Sequence, residues 1–176
     1  MKQKMKLIAA LLISVHFIMP QVLRAQDSTK IKIRSFQIGF FTPLGSNGFD
    51  SWNVSNKFSI NILGGYSGGV DGAEFSSLGS VLQGNMRGAQ FSGLGNIVLQ
   101  ETKGVQFAGL FNIGLGNVKA AQFAGLANIT AGKVKAFQAS GLLNITTDTT
   151  RGFQLAGLAN ISAGRISGTQ MSGLFN

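Results

Sequence analysis

Gln106-Phe107-Ala108-Gly109-Leu110-Phe111-Asn112 returns sixteen residues later as Gln122-Phe123-Ala124-Gly125-Leu126-Ala127-Asn128, and that return decides the fold. The same spacing carries Gln90, Gln138, Gln154 and Gln170. Three places after each stand Gly93, Gly141, Gly157 and Gly173, each followed by leucine, and six places after stand Asn96, Asn144, Asn160 and Asn176. The motif is Q-x-(A/S)-G-L-x-N, with no insertion between copies. A weaker copy places Glu74, Ser77, Leu78 and Ser80 in the same four columns, so the array is expected to run from about Gly72 to Asn176. Fixed self-similarity at short period marks a repeat architecture.

Helix is disfavoured, because each copy carries an internal glycine and β-branched residues such as those in Asn128-Ile129-Thr130-Ala131-Gly132, and no apolar stripe has helical spacing. Alternation fits strands. Phe107, Phe111 and Ile113 share one parity, Gln106, Ala108, Leu110 and Asn112 the other, and Gly114–Asn117 reads as the turn. In an antiparallel meander with two-residue hairpins, an even period exchanges the faces of odd and even positions in successive strands. The glutamine column never changes its chemistry, which favours a parallel β-solenoid of 16-residue coils. There each column stacks on itself about 4.8 Å apart. A three-residue loop would restore parity, so an antiparallel outer-membrane-type β-barrel, or part of one, remains the alternative. It would need strands of about 9–11 alternating residues and a continuous lipid-facing band.

The solenoid accounts for the residue types. Stacked amides form ladders, glycine permits a backbone conformation other residues resist, Ala or Ser leaves room, and leucine is expected to fill the core. The array would make a rod about 30 Å long. Before it, Phe36-Gln37-Ile38-Gly39-Phe40 and Phe58-Ser59-Ile60-Asn61-Ile62 alternate as strands on either side of the turn-forming Thr42–Gly48 segment. Residues 26–71 are therefore expected to form an N-terminal β cap or hairpin over the first coil. The sequence stops in mid-repeat, which predicts an open edge served by further chain or by another protein.

Glycine contributes 25 of 176 residues, about twice the usual share of roughly 7%. With only two prolines and no three-residue period, collagen is excluded. Hydrophobic residues at 44% against charged residues at 12% exclude a disordered solubility tail. Lys2, Lys4 and Lys6, an apolar stretch from Leu7 to Met19, and Ala25 read as a secretory signal over residues 1–25. An exported protein of the outer membrane or cell surface, with the periplasm as a further possibility, is expected. Removing Lys2, Lys4, Lys6 and Arg24 with that leader leaves eleven basic residues against six acidic, a net charge of +5.

There is no cysteine, and the one histidine, His16, lies in the leader, so the exported chain has no Ser-His-Asp triad, Cys-His pair or histidine-ligated zinc. Of six carboxylates only Asp71 and Glu74 are close in sequence, and they read as solvated charges near a turn. Gly132-Lys133 lacks the remainder of a phosphate loop. A non-enzymatic protein with no cofactor, no metal and no catalytic residue is expected. A carbohydrate-processing enzyme built on Asp71 and Glu74 is the distant alternative. Asn128-Ile129-Thr130, Asn144-Ile145-Thr146 and Asn160-Ile161-Ser162 match the glycosylation sequon because the asparagine column precedes Thr or Ser.

One column is basic: Arg87, Lys103, Lys119, Lys135 and Arg151, interrupted by Ser167. Such a stripe is the candidate anion-binding surface for envelope polysaccharide or lipopolysaccharide, set against the plainer reading of lysines that keep an apolar rod soluble. Nucleic acid is not expected as a partner, given export and no evident aromatic platform.

Phe40–Gly48, Phe58–Ser67 and the Q-x-x-G-L-x-N array that follows them resemble the surface-repeat proteins of Bacteroidetes and Leptospira over nearly the whole exported chain. The resemblance implies a cell-envelope or surface location in a Gram-negative bacterium and carries no established activity. Longer relatives continue into a further strand-rich region that this sequence lacks, which leaves membrane attachment open.

Overall fold

The computed structural model describes residues 31–176, which form one compact unit; the leader assigned to residues 1–25 lies outside the described residues. Each coil of the array contributes one long and one short strand. The long strands are β4 (Gly69–Ser76), β6 (Met86–Ser92), β8 (Thr102–Ala108), β10 (Val118–Ala124), β12 (Val134–Ser140), β14 (Thr150–Ala156) and β16 (Ile166–Ser172). The short strands are β5 (Gly79–Leu82), β7 (Gly95–Val98), β9 (Phe111–Gly114), β11 (Ala127–Thr130), β13 (Leu143–Thr146) and β15 (Ala159–Ser162).

Every strand of the array pairs in parallel with its equivalents one coil away, as Gln90 does with Gln106 and Asn112 with Asn128. The fold is a β-solenoid with a rung of sixteen residues, and the parallel pairing excludes the antiparallel barrel for this region. The N-terminal segment continues the sheet. The strand β1 (Lys32–Phe41) turns through β2 (Leu44–Gly45) and a 3-10 turn over Gly48–Asn53 into β3 (Val54–Ser67). The segment also holds one short antiparallel pair, β1 with β2. β1 pairs parallel to β3, and β3 pairs parallel with β4 through one half and with β5 through the other. Coil geometry thus begins before the sequence motif does.

Two corners, not one turn, close each rung. Leu115–Asn117 lies between one coil's short strand and the next coil's long strand, while Gly109-Leu110 separates β8 from β9. The second corner breaks the alternation. Gln106, Ala108, Asn112 and Gly114 are buried, whereas Leu110, which by parity would also face inward, is turned outward. The leucine column therefore does not fill the core: Leu78 and Leu94 are each 47% exposed. The interior is instead largely polar, with Gln90, Gln106, Gln122, Gln138 and Gln154 buried opposite Asn96, Asn112, Asn128, Asn144 and Asn160. Small apolar clusters, Val70 with Leu82, Met86 and Val98, and Val118 with Ala120 and Val134, complete it at the charged-turn end.

The motif glycines are needed for space rather than for φ. A Cβ on Gly109 would overlap the Gly93 carbonyl oxygen one coil away, and Gly109 is not among the glycines with positive φ. Left-handed φ occurs in a different column, at Gly88 (113°) and Gly104 (121°).

Candidate functional site

Burying this many amides is tolerable only if each finds partners, because an unpaired buried polar group costs about 1–3 kcal/mol. The two ladders supply them in opposite senses. Each glutamine Nε2 donates toward the N-terminus: Gln106 to Gln90 Oε1, Gln122 to Gln106, Gln138 to Gln122 and Gln154 to Gln138, at 2.6–2.7 Å. Each asparagine Nδ2 donates toward the C-terminus: Asn96 to Asn112 Oδ1, Asn112 to Asn128, Asn128 to Asn144 and Asn144 to Asn160, at 2.8–3.0 Å. The asparagines also donate to main-chain oxygens of the next coil's long strand, as Asn112 does to Phe123 O at 2.9 Å, tying the two strand rows together. Asn128, Asn144 and Asn160 are thus inaccessible interior groups, and the three sequons reflect the ladder rather than glycosylation.

Glu74 heads the glutamine ladder. It is fully buried, not solvated as its sequence position implied, while Asp71 is exposed. Gln90 Nε2 (3.1 Å) and Ser80 Oγ (2.8 Å) donate to its Oε2, and Asn61 Nδ2 (2.8 Å) donates to Oε1. Gln37 Nε2 in turn donates to Asn61 Oδ1 at 3.2 Å, so donation converges on Glu74 from both directions. Burial pushes its carboxyl above the ordinary value, opposed by these three donated hydrogen bonds. One carboxylate of the pair is therefore in the interior and the other at the surface. Among the described residues no group of acidic or histidine side chains is placed to hold a metal.

The basic residues lie at one phase of the long strands. Arg87, Lys103 and Lys119 are laterally in register, and Lys135 lies beside Arg151, which faces Ser167. The column is not uniform. Glu101 Oε2 bonds Lys103 Nζ at 2.7 Å and Glu101 Oε1 bonds Lys119 Nζ at 2.9 Å, and these contacts lower the Glu101 carboxyl. Asp71 sits beside Arg87 at the other end. Further on, Lys135 and Arg151 make no ion pair among the described residues, and Lys133 joins them. Lys119, Lys133, Lys135 and Arg151 line a cleft of about 230 Å³. Asp148 is close by, its carboxyl lowered by hydrogen bonds from Thr149, the backbone N–H first. Sequence reasoning missed Lys133 and the Glu101 bridge, although the phase of both residues, two places before the basic column, was there to be read.

The charge is also confined. From Asp71 onward every charged residue except Glu74 lies within four consecutive positions of the sixteen, at the turn edge of the rod. The rest of the perimeter is neutral, and much of it apolar. An aromatic ladder runs along the outer face of the long strands: Phe75, Phe91, Phe107 and Phe123 stack with ring centroids 4.7–5.3 Å apart. It steps across to Phe137 and Phe153, which stack at 5.4 Å, and is extended at its start by Phe58 and Phe36. An aromatic array therefore exists where none was evident in sequence. Its rings use their faces on one another, leaving edges outward, so it is not a platform on which bases stack.

Fold and surface together define a class: a parallel β-solenoid repeat protein with an amide-laddered interior, apolar flanks and one charged edge. No protein-family model, no curated protein and no solved structure matches the chain.

Proposed function

We propose that the protein is an exported, non-enzymatic repeat protein of the cell envelope, a rigid scaffold whose basic edge binds an anionic envelope polymer such as lipopolysaccharide or an acidic glycan. The secretory-type leader in the sequence and the resemblance to bacterial surface-repeat proteins support the location. The observation that carries the binding reading is the run of Lys133, Lys135 and Arg151 along one cleft, with Lys135 and Arg151 one rung apart, Asp148 the carboxylate near Lys133, and none of the three cations in an ion pair among the described residues. A polymer with regularly spaced negative charge matches such a line, and the field of several like charges exceeds that of any one.

The test compares two double variants in lipopolysaccharide and acidic-glycan binding. Lys135→Gln with Arg151→Gln is expected to weaken binding roughly tenfold at low salt, from two lost charge pairs of about 1 kcal/mol each at most. Lys103→Gln with Lys119→Gln is expected to weaken it less, since Glu101 already neutralises part of that pair. Binding that ignores both variants and does not fall with salt would remove the electrostatic reading.

A further inference from the structure

We infer that the outer face of the long-strand row is a docking surface for an anionic lipid bilayer, on which the rod lies lengthwise. The inference deepens the envelope reading and rests on it for location only. Outward positions along one strand run from cation to aromatic ring: Lys103, Val105, Phe107 in β8; Lys135, Phe137, Ala139 in β12; Arg151, Phe153, Leu155 in β14. The next position around the rung is the motif corner, where Leu94, Leu142 and Leu158 are exposed beside the ladder. Four residues of strand separate the cation column from the Phe107 column, about 13 Å at the usual rise. Tilted on a bilayer, that span places rings and corner leucines in the acyl boundary while the long Lys and Arg side chains reach headgroup phosphates.

Lipid is favoured over a protein partner by what the face lacks. Between the basic column and the leucine corner of β6, β8, β10, β12 and β14 the outward side chains are Ala, Val, Phe and Leu, with no hydrogen-bonding group to select a sequence or fix a register. A protein interface would carry about one hydrogen bond per 100–200 Å². A lipid surface requires none, and its uniformity along the rod axis suits a face that repeats every rung. Charge complementarity supplies the rest: Arg87, Lys103, Lys119, Lys133, Lys135, Arg151 and Arg165 stand against Asp71, Glu101 and Asp148 on that edge.

The experiment is cosedimentation of the chain from Gln26 onward, which holds the whole compact unit without the apolar leader stretch, with vesicles of phosphatidylcholine alone or with added phosphatidylglycerol. Binding to the anionic vesicles is expected, reduced roughly tenfold or more by Lys135→Glu with Arg151→Glu. It should also be reduced by Leu94→Gln with Leu142→Gln, two exposed positions whose folding is checked by circular dichroism. Soluble-glycan binding without vesicle binding would overturn this inference and leave the polymer reading standing. Self-association through the apolar face without vesicle binding, seen by analytical ultracentrifugation, would overturn it in favour of a second copy. Vesicle binding that survives both double variants would overturn it as well.

Discussion

At the residue scale the interior is a set of hydrogen bonds aligned end to end, and its weak points are wherever a partner is lost. Gln122→Leu leaves Gln106 Oε1 buried without a donor and Gln138 Nε2 with only its 3.5 Å contact to Thr130 Oγ1, so a loss of about 2–4 kcal/mol is expected, read as a lower urea midpoint. Thr102 is the reverse case. Its buried hydroxyl has no partner and its register neighbours are Met86 and Val118, so Thr102→Val is expected to stabilise by about 1 kcal/mol. Glu74 gives the fold a pH dependence of definite sign. Its folded-state affinity for a proton is raised, so its contribution is fully present below the ordinary carboxylate range and is lost as pH rises through that range toward the folded value. Relative to Glu74→Gln, the melting temperature of the parent chain should therefore climb as pH is lowered from neutrality toward 4.5. A flat difference between the two would refute the assignment.

At the element scale the corners govern the coil. The strands themselves were legible, because inward Gln, Ala or Ser and Asn alternate with outward Phe and Ile wherever the backbone is extended. The outward leucine was not legible, since parity counted straight through Gly109-Leu110 assigns Leu110 to the inside. Only the two-residue corner of the folded chain resets the count. The close approach at that corner predicts that Gly109→Ala destabilises by about 1–3 kcal/mol through overlap with the Gly93 carbonyl. Gly95→Ala is the matched control: its column holds alanine at Ala127 and Ala159, and a Cβ there meets the Phe111 oxygen at 3.3 Å, so unchanged or slightly raised stability is expected.

At the scale of the whole molecule, contacts reach one rung in each direction, so stability should add by coil. Deleting Val118–Lys133 joins Asn117 to Val134 and keeps every column in phase, and the shortened chain is expected to remain folded with a lower melting temperature. Deleting only eight residues would set glutamines against the opposite strand row, and loss of the β-sheet circular dichroism signal is expected. The confinement of charge is likewise a property of the assembled rod. The basic column was readable from its phase, but its division into a bridged part at Lys103 and Lys119 and an open part at Lys133, Lys135 and Arg151 depended on where Glu101 reaches.

The sequence by itself determined the rung length and the identity of the repeated columns and favoured parallel stacking, because a period that keeps the same chemistry in every column suits an arrangement in which each residue meets its own kind. The strand pairing then decided against the antiparallel alternative. The tertiary structure alone decided which side of the wall each column faces. Facing depends on where the chain bends, and a glycine chosen for close approach between coils leaves no distinct mark in sequence from one chosen for its φ. The result is a rod with amides inside and phenylalanine and leucine outside, held by hydrogen bonds that water cannot reach.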